Sequence, residues 1–174
     1  MKTVAVFGNS DSGLISRALY RVLNEKSSAA LVEGSTVGAI QKNPDYLIVG
    51  ACGLKKLYAE NGVIIFQNNI EIPPTFELSG QFTAVVGEEN ATALRFLKNR
   101  GIITVTCGMS PKNTVSLSSR SDGSAAVCIG REIKGAPQGE CILEFGEKYD
   151  DFSLLAVASA LMLTCGYSEV YRLP

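Results

Sequence analysis

Lys2-Thr3-Val4-Ala5-Val6-Phe7-Gly8-Asn9-Ser10-Asp11-Ser12-Gly13 runs straight into Leu14-Ile15-Ser16-Arg17-Ala18-Leu19-Tyr20-Arg21-Val22-Leu23. An apolar run rich in β-branched residues that stops at a glycine reads as a buried strand. Leu14, Ile15, Ala18, Leu19, Val22 and Leu23 then recur at helical spacing. The order is strand, small-residue loop, helix. In a parallel sheet such a loop lies at the carboxyl end of its strand, where backbone N–H groups and the positive end of the helix dipole converge on an anion. The stretch therefore has the shape of a phosphate pocket, with Gly8, Asn9, Ser10, Ser12 and Gly13 as its candidate lining.

Its side chains complete neither of the usual nucleotide loops. With Gly8 and Gly13 as the two P-loop glycines, Leu14 stands in the lysine position and Ile15 in that of the magnesium-binding hydroxyl. With the same residues as a dinucleotide fingerprint, Ser10 stands at the middle glycine, where backbone must approach pyrophosphate. Each register fails at a residue that does the binding.

Downstream, Ala29-Ala30-Leu31-Val32 is a second short strand ending at Glu33, where a dinucleotide fold keeps its ribose-binding acid; the plainer reading of Glu33 is a polar strand end. Residues 34–38 read as a loop. Tyr46-Leu47-Ile48-Val49-Gly50-Ala51-Cys52, Val63-Ile64-Ile65-Phe66, Thr83-Ala84-Val85-Val86 and Ile102-Ile103-Thr104-Val105-Thr106 are continuous apolar runs of the buried parallel type. Asn90 to Arg100 reads as a helix with Ala91, Leu94 and Leu97 on one face, and Gly101 ends it.

Beyond 108 the period changes. Parts of 115–118, 126–133 and 140–145 alternate, separated by Asp122-Gly123 and Gly135-Ala136-Pro137-Gln138-Gly139. That is the pattern of a small antiparallel sheet with one wet face, over about 113–146. Asp150 or Asp151 then caps a helix over 152–165, apolar all round and so buried, which Gly166 stops. The fold class is α/β: a P-loop-like, mostly parallel sheet flanked by helices, with the small antiparallel sheet in the C-terminal third. No linker or repeat divides the chain, and residues 1–174 read as one domain, its parallel core at about 1–108 plus the closing helix.

Bulk properties narrow the function classes. A chain of 174 residues, 46% hydrophobic and 19% charged, buries a core without staples. A net charge of -1 gives no basic surface for nucleic acid or an acidic membrane, and no apolar run is long enough to span a bilayer. The N-terminus lacks a signal-peptide layout, so the expected location is the cytoplasm. Five cysteines without a Cys-x-x-Cys pair argue against a disulfide framework or a structural zinc site, and most are expected to be buried thiols. The absence of histidine removes Ser-His and Cys-His nucleophile pairs. Cys52, beside Lys55 and Lys56, is a candidate reactive thiol, with a packed strand-end cysteine as the plainer reading. The doublets Glu88-Glu89 and Asp150-Asp151 are candidate carboxylate pairs whose ordinary role is to cap helices or face water.

The order of these pieces resembles the central ATP-binding domain of the Mur ligase superfamily over almost the whole chain. Beyond the first strand and loop, Gly34-Ser35-Thr36-Val37-Gly38 looks like that family's Gly-Thr-Ile-Gly loop. Ile64-Ile65-Phe66-Gln67-Asn68 is similar to its strand ending in Thr-Asn, and Ala84-Val85-Val86-Gly87-Glu88-Glu89-Asn90 to the one ending in Asn-x-Asp-Asp. Ile103-Thr104-Val105-Thr106-Cys107-Gly108 and the alanine-rich 156–161 helix ending at Gly166 complete the series.

The working residues depart from the resemblance. On the family's Gly-Thr-Asn-Gly-Lys-Thr loop, Asp11 falls on the second glycine, Ser12 on the lysine and Gly13 on the hydroxyl. Gly50 stands near the place of the family's magnesium-binding glutamate, Asn69-Ile70-Glu71-Ile72-Pro73-Pro74 leaves no room for the helix of the carbamylated lysine, and Tyr149-Asp150 stands for His-Asn. Asn68 and an acid near Glu89 remain. Phosphoryl transfer needs a cationic clamp and a placed metal.

The expectation is a stand-alone, degenerate member with a vestigial phosphate site (Gly8, Asn9, Ser10, Ser12, Gly13, Asn68), non-catalytic, binding a partner protein or a small anionic ligand, with a link to cell-wall precursor metabolism. ATP and magnesium enter only if the altered loop still binds them. Two alternatives stay open: an ATP-dependent carboxylate–amine ligase component completed by a partner chain, and an NAD-type domain using Gly8, Ser10, Gly13 and Glu33.

Overall fold

The computed structural model of the chain describes residues 1–8, 13–39, 43–68, 70–146 and 148–174. In chain order the elements are β1 (Lys2–Phe7), α1 (Gly13–Lys26), β2 (Ala29–Glu33), β3 (Thr36–Ala39), β4 (Tyr46–Ala51), β5 (Lys56–Phe66), β6 (Glu77–Gly87), α2 (Ala91–Asn99), β7 (Ile103–Gly108), β8 (Val115–Ser121), β9 (Ser124–Ile129), β10 (Gly139–Phe145), α3 (Asp151–Cys165) and β11 (Val170–Leu173).

All the strands join one sheet, in the order β11-β10-β9-β8-β7-β6-β5-β1-β4-β2-β3. From β2 to β8 every neighbouring pair is parallel, with β1 between β4 and β5. The apolar runs behave as central parallel strands should: Val4, Val6, Ile48, Ile64, Ile65, Ala84, Val85 and Val86 are buried whichever face they point to.

One face is covered by α1 and α3. Helix α3 is apolar all round because the sheet lies on one side and α1 packs on another, so residues from Ser153 to Met162 are all buried. Its buried hydroxyls are satisfied within the helix: Ser159 donates to the Leu155 carbonyl and Thr164 to that of Ala160, each at 2.7 Å. Gly166, at φ 88°, ends it.

The other face is covered differently. Phe7, Phe66 and Phe76 meet there with Phe96, Phe7 stacking on Phe76 at 5.0 Å. Helix α2 lays Ala93 and Leu97 on this cluster. The rest of the cover is extended chain: Leu57, Ile70 and Phe76, with the half-buried Leu54, Ile72 and Leu78, pack against the same core. The connections through 52–55 and 70–76 carry no helix among the described residues.

Four expectations are corrected. Residues 36–39 are not loop but an edge strand, β3, antiparallel to β2, made possible by the turn at Gly34 with φ 55°. The antiparallel strands β8, β9 and β10 stand in the C-terminal third as expected and extend the same sheet, since Cys107 and Gly108 of β7 register with Val115 and Ser116 of β8. Within 126–133 the strand stops at Ile129, and Ile133 forms only an isolated bridge with Ala136. The third correction concerns length, since β5 and β6 begin at Lys56 and Glu77, well before their apolar runs. Last, β11 was not foreseen; it runs parallel to β10 and leaves Tyr171 buried.

Candidate functional site

The carboxyl ends of the parallel strands open into two clefts, one on either side of β1. The loop positions Asn9, Ser10, Asp11 and Ser12 lie outside the described residues. Gly8 and Gly13 are described. Gly8 donates from its N–H to the Ala51 carbonyl at 3.2 Å, and Gly13 is the first residue of α1.

The first cleft, about 260 Å³, lies over β5, β6 and β7 and is lined by Asn68, Glu88, Glu89, Met109, Asp150 and Phe152 among others. Small residues at the strand ends make the room. A side chain at Gly87 would collide with Asn68 Oδ1, and one at Gly108 with the Glu88 carboxylate. Asn68 Oδ1 is buried and accepts no hydrogen bond from the described residues. Glu88 is tightly held: Oε1 accepts from the Met109 N–H at 2.9 Å and Oε2 from Asn113 Nδ2 at 2.7 Å. The Asn113 amide keeps the Glu88 carboxyl below the usual range; slight burial opposes this, and the Met109 and Ser110 N–H groups reinforce it.

The acid doublets divide their labour. Asp150 caps α3, accepting from Ser153 N–H at 2.9 Å and Ser153 Oγ at 2.6 Å, while Asp151 is ion-paired with Arg120. No lysine or arginine is among the described lining residues of this cleft. Its charge is negative.

The second cleft, about 510 Å³, lies over β2 and β4 and is lined by Arg17, Glu33, Ser35, Thr36, Gly50 and Cys52 among others. Here Glu33 is more than a polar strand end. Its carboxylate crosses to the first two turns of α1, where Arg17 Nε donates to Oε2 at 3.0 Å and Ser16 Oγ lies 3.4 Å from Oε1 and 3.3 Å from the Gly13 carbonyl. Gly13 and Gly50 give it space: a side chain at Gly13 would strike Glu33 Oε1, and a Cβ on Gly50 would lie 3.5 Å from Glu33 Cγ. The stem of Glu33 thus passes beside Gly50 of β4.

Of the candidate residues, Gly8 and Gly13 bracket the β1–α1 connection and Asn68 stands in the first cleft. The cysteine expectation is corrected: only Cys107 and Cys141 are buried, Cys128 is half-buried, and Cys52 and Cys165 are exposed, because Cys52 lies just past the end of β4 where no element covers it. No three His, Cys, Asp or Glu side chains among the described residues come together as a metal site. No helix among them is long and apolar enough to cross a membrane. The roles of Ser16, Arg17 and Asn113 were missed, since each depends on a partner 16 to 25 residues away that no local spacing announces.

Similarity to known proteins is structural. No family model matches the chain, and no curated protein does. Among solved structures, the MurF ligase from Thermotoga maritima in complex with ADP superposes with a TM-score of 0.63 at 17% identity, covering 96% of this chain and 46% of that one. The UDP-N-acetylmuramoylalanyl-D-glutamyl-2,6-diaminopimelate–D-alanyl-D-alanyl ligase from Acinetobacter baumannii gives 0.63 at 12%, covering 97% and 44%. A murein peptide ligase from Psychrobacter arcticus gives 0.57 at 8%, covering 93% and 44%. The chain thus spans less than half the length of each of these three ligases. In fold, it is a Mur-ligase-like domain.

Proposed function

We propose that this Mur-ligase-like domain has a degraded nucleotide site, turns over no ATP by itself, and acts by binding a partner protein or small ligand in the cytoplasm, in connection with cell-wall precursor metabolism. The observation that carries this reading is the charge at the strand ends. A triphosphate with its metal needs cations or metal ligands already in place. Among the described residues the first cleft is lined by Glu88, Glu89, Asp150 and Asp151 without a lysine or arginine, these acids do not converge as a metal site, and Arg17 in the second is already engaged by Glu33. The sequence of the loop supports the same reading, since Asp11 and Ser12 replace its glycine and lysine.

Calorimetry with magnesium-ATP at millimolar concentration, beside an assay of released phosphate, tests it. The expected result is neither saturable binding nor hydrolysis. Magnesium-dependent hydrolysis abolished by Ser12→Ala or Asp11→Ala would overturn the reading. Tight ATP binding without hydrolysis favours a ligase component completed by a partner chain. A thermal shift with a nicotinamide dinucleotide would favour the NAD-type alternative, for which Glu33 would have to leave Arg17.

A further inference from the structure

We propose that Glu33 is a built-in anion: its carboxylate fills the seat at the head of α1 and keeps free phosphate-type anions out of it. The inference deepens the reading of a degraded site and rests on it. A strand–loop–helix unit offers its helix N-terminus to a negative group. In this chain a carboxylate of its own stands beside the first residue of the helix, where a Cβ added to Gly13 would strike Glu33 Oε1.

Elements far apart in sequence cooperate to hold it. Glu33 ends β2; Ser16 and Arg17 lie in the first two turns of α1; Gly50 lies in β4. Arg17 Nε donates to Oε2 at 3.0 Å, as it would to an oxygen of a bound anion, and Ser16 Oγ, which shares its proton with the Gly13 carbonyl at 3.3 Å, stands 3.4 Å from Oε1. The carboxylate lies against Gly13, the first residue of the helix, and a side chain there would displace it. Gly50 likewise leaves room for the Glu33 stem and for Ser16, whose Oγ would be 3.1 Å from a Cβ at position 50. The Glu33 side chain is only 16% exposed, whereas that of Arg17 is 66% exposed: the acid is seated and the guanidinium closes over it from solvent.

A second anion entering this seat meets the Glu33 charge at contact distance and finds Arg17 taken. Removing that charge while keeping the side-chain shape should therefore vacate the guanidinium and the helix end together. The test is titration of the full chain with inorganic pyrophosphate, followed by calorimetry and 31P line broadening, for wild type, Glu33→Gln and Glu33→Gln/Arg17→Ala, each checked for folding by thermal melting. Wild type should show no saturable binding; Glu33→Gln should bind at least about tenfold more tightly than wild type, and the double variant should lose the gain. Glu33→Ala carries the same expectation should Glu33→Gln prove unstable.

A folded Glu33→Gln or Glu33→Ala that binds pyrophosphate no better than wild type overturns the proposal. So does a gain that survives Arg17→Ala, or a wild type whose magnesium affinity falls on Glu33→Gln, which would make Glu33 a cation ligand. These results leave the absence of ATP turnover untouched, while ATP hydrolysis by wild type sinks that reading first.

Discussion

Asn113 Nδ2 donates a 2.7 Å hydrogen bond to Glu88 Oε2, pinning the approach to β8 onto the end of β6. The Met109 N–H adds a second tie to the same carboxylate. Glu88 is exposed, so solvent screens both bonds, and Glu88→Ala should cost about 1 kcal/mol or less in urea melts at neutral pH. Its folded-state pKa lies below the ordinary carboxylate value, so this contribution is complete above that value and disappears as pH falls through the folded one. The difference between wild type and Glu88→Gln should therefore shrink on acidification; a difference that holds constant to low pH would show that the carboxylate charge is not what matters.

Much of this arrangement was legible and some was not, for physical reasons that individual residues expose. Val4 to Phe7, Ile64 to Phe66 and Ala84 to Val86 announced themselves because both sheet faces are covered and no polar residue interrupts them. Asn90, Gly101, Asp150 and Gly166 marked helix ends because capping is a local matter. The first half of β5, Lys56-Leu57-Tyr58-Ala59-Glu60, carries no such signal: Leu57 alone is fully turned to the core, and its pairing with 77–79 is fixed by the phenylalanine cluster beneath. In the clefts the acid doublets were visible, but the Glu33–Arg17 and Glu88–Asn113 contacts follow from the sheet order, which sets β2 and β8 where they stand.

Gly80 is the tightest backbone position. It has φ 117°, and a Cβ there would strike the Ala59 carbonyl, opposite the register shift between Tyr58 and Asn61. Gly80→Ala combines a strained backbone with a clash that no side-chain rotation relieves, and should cost about 2–5 kcal/mol in denaturant unfolding. Gly34 is the control, with φ 55° and open space around it, and Gly34→Ala should cost about 1 kcal/mol. Equal losses at the two sites would remove the clash from the explanation.

Asn90 does two jobs with one amide. Its Oδ1 caps α2 by accepting from Ala93 N–H at 3.0 Å, and its Nδ2 donates to the Gln67 carbonyl at 2.7 Å, tying the helix to the end of β5. The residue is buried, so Asn90→Ala leaves a donor and an acceptor unpaired and should cost about 1–3 kcal/mol. Asn90→Asp restores the cap yet sets a carboxylate against the Gln67 carbonyl, and should recover less than half of that loss. Full recovery by aspartate in chemical denaturation would mean the tie to β5 contributes nothing.

The cysteines separate into two chemical classes. Burial pushes the Cys107 thiol up to about 12, the neighbouring Ser159 hydroxyl partly opposing it, and burial with the Glu140 charge takes Cys141 to about 11. Cys52 and Cys165 are exposed. With a thiol reagent at pH 8, the native chain should lose Cys52 and Cys165 quickly, while Cys107 and Cys141 wait for unfolding. Both raised values also link folding to alkali: their contribution is whole below the ordinary thiol pKa of about 8.5 and is lost as pH climbs toward the folded values, because the unfolded chain ionises first. The chain should accordingly unfold on the alkaline side, and Cys107→Ala should flatten that pH dependence while costing core packing at neutral pH. Rapid labelling of Cys107 in the folded protein would remove it from the interface between β7 and α3, where its Sγ stands 3.4 Å from Ser159 Oγ.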